Sequence, residues 1–455
     1  MTASSTRTSR ADSYAAVVQE LTARGRFGVS LGLERVGAIL DELDHPERSL
    51  HGALIGGTNG KGSVVAMARS VLGAAGLRVG TMPKPHLVSY RERIAIDGVP
   101  LSEPRFAAAV TRVLPAVDRV AGRLGPPTEF ETLTAAAFAE LAEASVDLVL
   151  VEVGMGGRLD ATNVLDPGVA AITNVQHDHE RYLGRTLAAI GGEKAAIIKP
   201  GNLAVTGATG RGLAPIADRT TLLGVPLRLV GAGRPFHATL RQAGWDGIVV
   251  DISTPDGALG GVQVGLLGGH QAQYAAVAVA LLDALRQDGE RRPTPAPAID
   301  EEALRRGLAE ARWPGRLELV QSATHGRVLL DGAHNPAGAR ALAAALTELG
   351  VRRFPLVFGA MRGKRVSAVL RALAPLEAKP VFTAVADHGA RSPDSLLRAW
   401  QRVGARDHGR TAPDPPRALE MASSLVRGEE PIVVAGSLYL VGAVRGMLVG
   451  EEAGR

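Results

Sequence analysis

The chain of 455 residues is 46% hydrophobic and 21% charged, enough apolar material for two or three packed domains and too ordinary a charge content for disorder. Its 51 basic and 46 acidic residues leave a formal charge of +5 that is scattered, without a basic block or interleaved aromatics, so no nucleic acid is expected and a polyanionic small molecule accounts for the excess as well. With no cysteine, disulfides, thiolate metal sites and cysteine nucleophiles are excluded together, and the cytoplasm is the expected location.

Met1 to Asp12 is polar and lacks the apolar stretch of a signal peptide, and the apolar run Ala275 to Leu282 ends at Asp283, too short to span a bilayer, so no membrane partner is expected. Between Tyr14 and Leu43 apolar residues recur at helical spacing in two bursts. Strand-like and helical runs then alternate: a strand at Ala53–Ile55, a helix from Ser63, a strand at Val79–Thr81, a helix over Glu103–Val117 and another over Thr132–Ala144. The run Asp147–Val153 reads as a strand buried on both faces, with Glu152 at its C-terminal end, and Val169–Thr173 as a further strand leading into Asn174–His179. Gln287–Pro297, charged and then proline-rich through Pro293, Pro295 and Pro297, reads as a surface linker, and Asp300 as the cap of a short helix to Leu308.

Beyond Trp313–Arg316 a second alternation begins, with strands at Gly326–Leu330, Leu356–Gly359, Pro380–Val385 and Ile432–Ala435 and helices at Ala337–Leu349 and Val366–Leu373. The expected fold class is therefore α/β. A P-loop-containing, mostly parallel sheet domain with N-terminal helices spans residues 1–312, and a second, smaller α/β domain spans 313–455.

The chemistry concentrates at the ends of these strands. Gly57-Thr58-Asn59-Gly60-Lys61-Gly62-Ser63 joins a buried strand to a helix start, where unpaired backbone N–H groups, the Lys61 ammonium and the Ser63 hydroxyl suit a nucleotide's phosphates and Mg²⁺, so ATP is the expected fuel. The match to the usual P-loop is imperfect: only three residues separate Gly56 from Gly60, and Gly62 intervenes between lysine and serine. Ligands of open α/β sheets collect outside the C-terminal strand ends, which brings Glu152 and the 174–179 cluster to the same edge as the loop.

These segments, taken with Pro85-His86-Leu87, Arg91-Glu92-Arg93-Ile94, Glu152-Val153-Gly154-Met155-Gly156-Gly157-Arg158-Leu159-Asp160-Ala161-Thr162-Asn163, Asp178-His179, Glu193-Lys194-Ala195, Gly269-His270-Gln271, Trp313-Pro314-Gly315-Arg316, Asp331-Gly332-Ala333-His334-Asn335-Pro336 and Gly436-Ser437-Leu438-Tyr439, resemble the folylpolyglutamate synthase and dihydrofolate synthase family of the ATP-dependent Mur ligase superfamily over nearly the whole chain. The resemblance implies ligation of L-glutamate to a folate, and to dihydropteroate as well, through an acyl phosphate made from ATP. It also implies one or two Mg²⁺ ions and a carbamylated Lys194, whose sign is thereby reversed so that it can hold a second ion.

By that resemblance Thr58, Asn59, Gly60, Lys61, Gly62, Ser63, His270, Gln271, Arg316 and Asp331 contact ATP, and Ser63, Glu152, His179 and Lys194 hold metal. Imidazole is an uncommon Mg²⁺ ligand, so on its chemistry alone His179 is a hydrogen-bonding residue and only the resemblance makes it a ligand. Lys194, read from its neighbours, opens a helical stretch ending near Lys199, where a surface lysine is the plain alternative. Lys61, Lys194 and His334 are the catalytic candidates, and Pro85, His86, Leu87, Phe130, His334 and Ser437 the substrate contacts, although Phe130 reads equally as a core aromatic, His270-Gln271 as a polar first turn and Ser437 as a helix cap.

Three departures stand out. Lys84 occupies the place where related enzymes usually carry a serine near the metal, so that either its ammonium touches phosphate or the first metal loses a protein ligand. Tyr274 replaces an asparagine and Gly363-Lys364-Arg365 an Asp-Lys-Asp triplet. The expected partners are small molecules only, and the expected state is a monomer. Two other readings are another Mur-type amino-acid ligase and a P-loop switch module that turns over nucleotide without glutamate.

Overall fold

The computed structural model describes residues 13–25, 32–292, 296–385, 389–404 and 407–450. Its largest sheet has eight strands in the order Val99–Pro100, Ala95–Ile96, Val79–Met82, Leu148–Glu152, Gly52–Gly56, Gly168–Ile172, Leu203–Thr206 and Leu227–Leu229. All pairings from Val79–Met82 to Leu227–Leu229 are parallel, and Gly52–Gly56 lies at the centre, with Ile55 beside Glu152 on one side and Ala171 on the other.

Strand side chains alternate between faces, and that period divides the core. Leu54, Val149, Val151, Ala170 and Ile172 pack beneath helices Glu103–Leu124, Glu129–Glu143, Leu187–Ala195 and Gly210–Leu223. Ala53, Ile55, Leu148, Leu150, Val169 and Ala171 pack beneath Lys61–Ala74 and Gln271–Arg291. Both faces are covered, which is why these strands read as continuous apolar runs. Helix Glu129–Glu143 begins on a reciprocal cap: Thr128 Oγ1 accepts from Glu131 N at 3.2 Å while Thr128 N donates to Glu131 Oε2 at 2.7 Å.

A second sheet, not expected from the sequence, is a three-stranded antiparallel meander of His237–Gly244, Gly247–Thr254 and Gly257–Val264, seated through Ile248, Val250, Ile252, Val262 and Val264 on the core beneath Lys61–Ala74 and Gln271–Arg291. The third sheet orders Glu318–Ser322, Gly326–Leu330, Ile432–Ala435, Arg353–Phe358, Glu377–Phe382 and Arg410–Thr411, parallel except for the first pair. Helices Pro336–Glu348, Val366–Leu373 and Pro393–Arg402 cover one face, Pro415–Ser423 and Leu438–Val449 the other.

Two sequence expectations are corrected. The linker expected over Gln287–Pro297 begins too early, because helix Gln271–Arg291 continues through its charged part, where Arg292 Nε reaches Asp288 at 3.1 Å; Pro293 and Pro295 lie outside the described residues. Lys194 does not open a helix but sits in the last turn of Leu187–Ala195, only 3% exposed. The glycine pair Gly191-Gly192 lies inside this helix, and Gly191 lets it approach helix Gly210–Leu223 so closely that a Cβ would stand 2.7 Å from the Gly212 carbonyl oxygen. No helix among the described residues is long and apolar enough to cross a membrane.

Candidate functional site

Central strand Gly52–Gly56 runs into the glycine loop, and helix Lys61–Ala74 starts directly after it. Thr58 N donates to Asn174 O at 3.1 Å and Asn59 N to Asn174 Oδ1 at 3.0 Å; Asn59 Nδ2 donates to Gln176 Oε1 at 2.7 Å, and Thr173 Oγ1 to Asn59 O at 2.6 Å. The loop is thus tied to the end of the neighbouring strand, leaving the first N–H groups of the helix free to face the cleft. Gly60, at φ 78°, is the N-cap, and the ring of Tyr274 fills the space a Cβ would take; the Tyr274 hydroxyl accepts from Asn174 Nδ2 at 3.1 Å. The extra glycine of the motif has the same kind of cause, since a Cβ at Gly62 would stand 2.5 Å from the indole of Trp313.

Charge gathers beside this loop. Lys61 Nζ lies 3.7 Å from Glu152 Oε1 and donates to Gly57 O at 3.2 Å, and Lys194 Nζ donates to the same carbonyl at 3.1 Å. Burial, and after it the Lys61 charge, bring the Lys194 amine down to about 7. Glu152 Oε2 accepts from Lys84 N at 3.3 Å, one residue before the cis peptide bond Lys84–Pro85. Lys84 itself is 8% exposed; its Nζ lies 3.4 Å from the centre of the Phe130 ring and 3.7 Å from Asp160 Oδ1, and burial lowers it to about 8.

The third sheet presents its own strand ends opposite. Arg316 Nη1 donates to Gly315 O at 3.2 Å beside the half-buried Asp331, whose oxygens accept from Leu317 N at 3.0 Å and Ala333 N at 2.9 Å. Desolvation raises the Asp331 carboxyl, with Arg316 opposing it. The following helix, Pro336–Glu348, is capped by Asn335, whose Oδ1 accepts from Gly338 N at 2.8 Å. Ser437 does cap its helix, accepting from Tyr439 N at 3.2 Å, and still faces the cleft.

Asp178 joins the two halves. Asn335 Nδ2 donates to Asp178 Oδ2 at 3.1 Å and to Asn59 Oδ1 at 3.0 Å, Lys364 Nζ donates to Asp178 Oδ1 at 3.1 Å, and His334 Nε2 stands 3.6 Å from Oδ2. Burial works against this carboxylate, but the His334 hydrogen bond and the Lys364 charge prevail and hold it well below the usual carboxylate range. Burial and Lys364 bring the neighbouring His179 down to about 4, and burial alone does the same for His270, so both rings are neutral near pH 7.

The result is one cleft of about 460 Å³ between opposing strand ends, lined by Thr58, Asn59, Gly60, Lys61, Gly62, Ser63, Pro85, Glu152, His179, Lys194, His270, Gln271, Arg316, Asp331, His334 and Ser437. Three expected substrate contacts do not line it. His86 is turned aside, its ring 4.2 Å from Tyr90 and its Nδ1 accepting from Arg93 at 2.9 Å; Leu87 faces an adjoining cavity; Phe130 packs against the first core with Lys84 on its face. Asp178, Asn335, Lys364 and Trp313 are not among the site residues expected from the sequence; Asp178, Asn335 and Trp313 stand inside motifs of the resemblance and Lys364 in a triplet that departs from it, but nothing local marked any of them as a contact.

A glycine loop at a strand end that faces the strand ends of a second, mostly parallel sheet across a shared cleft is the arrangement of an ATP-dependent ligase of two α/β units, and two family models match accordingly: "Mur ligase middle domain" over residues 107–282 and "Mur ligase, glutamate ligase domain" over 315–438. Among curated relatives, the chain is 35% identical to the dihydrofolate synthase/folylpolyglutamate synthase of Bacillus subtilis, covering 93% of this chain and 96% of that one, and 37% identical to the enzyme of the same name from Mycobacterium tuberculosis, covering 91% and 89%. It superimposes on the Mycobacterium tuberculosis folylpolyglutamate synthase complexed with ADP and AMPPCP with a TM-score of 0.87 at 34% identity over 95% of this chain and 98% of that chain. The chain belongs to the dihydrofolate synthase/folylpolyglutamate synthase family.

Proposed function

We propose that this enzyme ligates L-glutamate to folates and to dihydropteroate at the expense of ATP. The observation that carries the reading is the single cleft in which Lys61, Glu152 and Lys194 of one sheet edge face Arg316, Asp331 and His334 of the other. The substrate carboxylate attacks the γ-phosphorus of ATP and ADP leaves; the glutamate amine then attacks the carbonyl carbon of the acyl phosphate, and inorganic phosphate leaves with the carboxylate oxygen. Lys61, Arg316 and the loop N–H groups lie where they can neutralise the charge that builds on phosphate oxygens. Closure of the two units excludes water that would otherwise hydrolyse the acyl phosphate.

The donors present fit Mg²⁺. Ser63 and Glu152 offer a hydroxyl and a carboxylate, and among the described residues no cluster of three His, Asp or Glu forms an all-protein cage, as suits an ion held chiefly by phosphate and water. Ser63 and Glu152 would hold the ion, with His179 and a carbamylated Lys194 as further contacts, and it would draw charge from the phosphates. The Lys194 amine, brought down to about 7, is neutral often enough to add to CO₂, lose a proton and become the anion that role requires. His334 and Ser437 face the incoming glutamate. The enzyme works as a monomer in the cytoplasm.

The test is product mass. With ATP, Mg²⁺ and labelled glutamate, dihydropteroate should gain one glutamate and tetrahydrofolate one or more. ATP turnover that is indifferent to glutamate and to both acids would overturn the reading in favour of a nucleotide switch.

A further inference from the structure

A second cavity, of about 690 Å³, adjoins the catalytic cleft and lies between the Thr81–Pro100 edge of the first sheet, the hairpin tip at Trp245, the 312–319 connection and the last helix. The two cavities share Lys84, Pro85, Arg316 and Leu438, so an acid lying across them passes Lys84 on its way to the phosphate loop. The Lys84 side chain is buried, yet its ammonium has no hydrogen-bond partner among the described residues. A buried cation left in that condition is costly, and proteins retain one where a ligand completes it.

Each neighbour of the ammonium is already committed. Asp160, at 3.7 Å, accepts from Thr162 N at 3.1 Å with Oδ1 and from Met155 N at 2.9 Å with Oδ2. Glu152 is shared between Lys61 and the Lys84 backbone N–H. The Phe130 ring offers only its face, at 3.4 Å, and Gly154, which lines the cleft and whose Cβ would stand 3.5 Å from Nζ, places no side chain between the ammonium and the cleft. The surrounding cations, Lys61 and Arg93, exceed what Glu152 and Asp160 balance once Lys84 is added, so an incoming anion is favoured over a neutral group.

We propose that the Lys84 ammonium binds the carboxylate of the acid to be activated and holds it for attack on the γ-phosphorus. This rests on the ligase reading above. Lys84 is then a substrate-binding residue that gives the carboxylate a charge-assisted partner where a hydroxyl would give only a neutral one, and it explains why a cation stands beside Glu152 where a metal-holding group would otherwise serve.

The experiment compares two probes, dihydropteroate and its carboxamide, bound to the full chain in the presence of a non-hydrolysable ATP analogue and measured by calorimetry. The wild-type enzyme should prefer the acid, and Lys84→Met, which keeps the length and the apolar stem, should weaken the acid roughly 10- to 100-fold while moving the carboxamide and the ATP analogue by less than about threefold. Lys84→Arg, still cationic, should recover part of the preference for the acid. Equal affinity of the wild type for acid and amide, or an acid-to-amide ratio unchanged in Lys84→Met, would overturn the assignment while glutamate addition continued. Absence of any ligated product from the wild type would instead overturn the ligase reading, and this inference with it.

Discussion

The two strand-end edges that meet at the cleft are fixed by different means. On the eight-stranded sheet, Thr58, Asn59 and Thr173 lock the glycine loop to residues 173–176, and Tyr274 and Trp313 fill the space above Gly60 and Gly62. On the six-stranded sheet, Arg316, Asp331 and His334 reach the same cleft, but their alignment with the loop runs through Asn335, Lys364 and His334 converging on one carboxylate, Asp178. The phosphate site is held within its own sheet edge by contacts among residues 58–59 and 173–176, whereas the second half of the site is aligned across the cleft by a few polar side chains. Chemistry at the first edge should therefore resist small perturbations that derange the second.

Lys61→Ala bears on the first edge and should have the largest effect: a fall in kcat/KM of about a thousandfold or more with both acids, with the unfolding midpoint little changed. Normal turnover in that variant would remove the loop from the mechanism. Lys194→Ala should lower turnover by roughly 100-fold, and a short carboxylate such as formate should restore part of it. In the wild type, stripping CO₂ and bicarbonate from the buffer should reduce activity and adding them back should return it; indifference to both would leave Lys194 an ordinary buried amine.

Asp178→Asn bears on the second edge. It should lower kcat by about 10- to 100-fold while leaving the affinity for an ATP analogue within a few-fold, because the loop is held without it. The carboxyl of Asp178 is depressed in the fold below its usual 3.8, so its contribution to stability is complete above that pH and erodes as pH falls below it. Acid titration of the unfolding midpoint should accordingly separate wild type from Asp178→Asn above pH 4 and bring the two together in stronger acid. Curves that ran parallel throughout would show that the bridge adds no stability.

Gly62→Ala is the mildest. The added methyl meets the Trp313 indole, and a loss of about 1–3 kcal/mol in urea unfolding is expected, with a smaller effect on turnover.

How much of this could be read beforehand follows from the range of each interaction. The loop, Glu152 and the strand ends are contiguous in sequence and obey local rules, so the parallel sheet and the phosphate site were legible from pattern alone. The antiparallel meander was not, because Gly257–Val264 carries three glycines and an alanine among its eight residues and shows little alternation. Lys194 was misplaced since a glycine pair ordinarily weakens a helix, and only the close approach of helix Gly210–Leu223 supplies a reason for it. Asp178, Lys364 and Asn335 lie 157 and 186 positions apart in their two pairings, and no local signal reports such a contact. Lys84 was visible as a departure, but its unpartnered ammonium at the meeting of two cavities needed the fold.

The central claim is that the acid is phosphorylated before it meets the amine, and isotope transfer tests that most directly. Dihydropteroate labelled with ¹⁸O in its carboxylate, incubated with enzyme, ATP and glutamate, should yield inorganic phosphate carrying one ¹⁸O for each amide formed. Unlabelled phosphate alongside the same amount of ligated product would contradict the account.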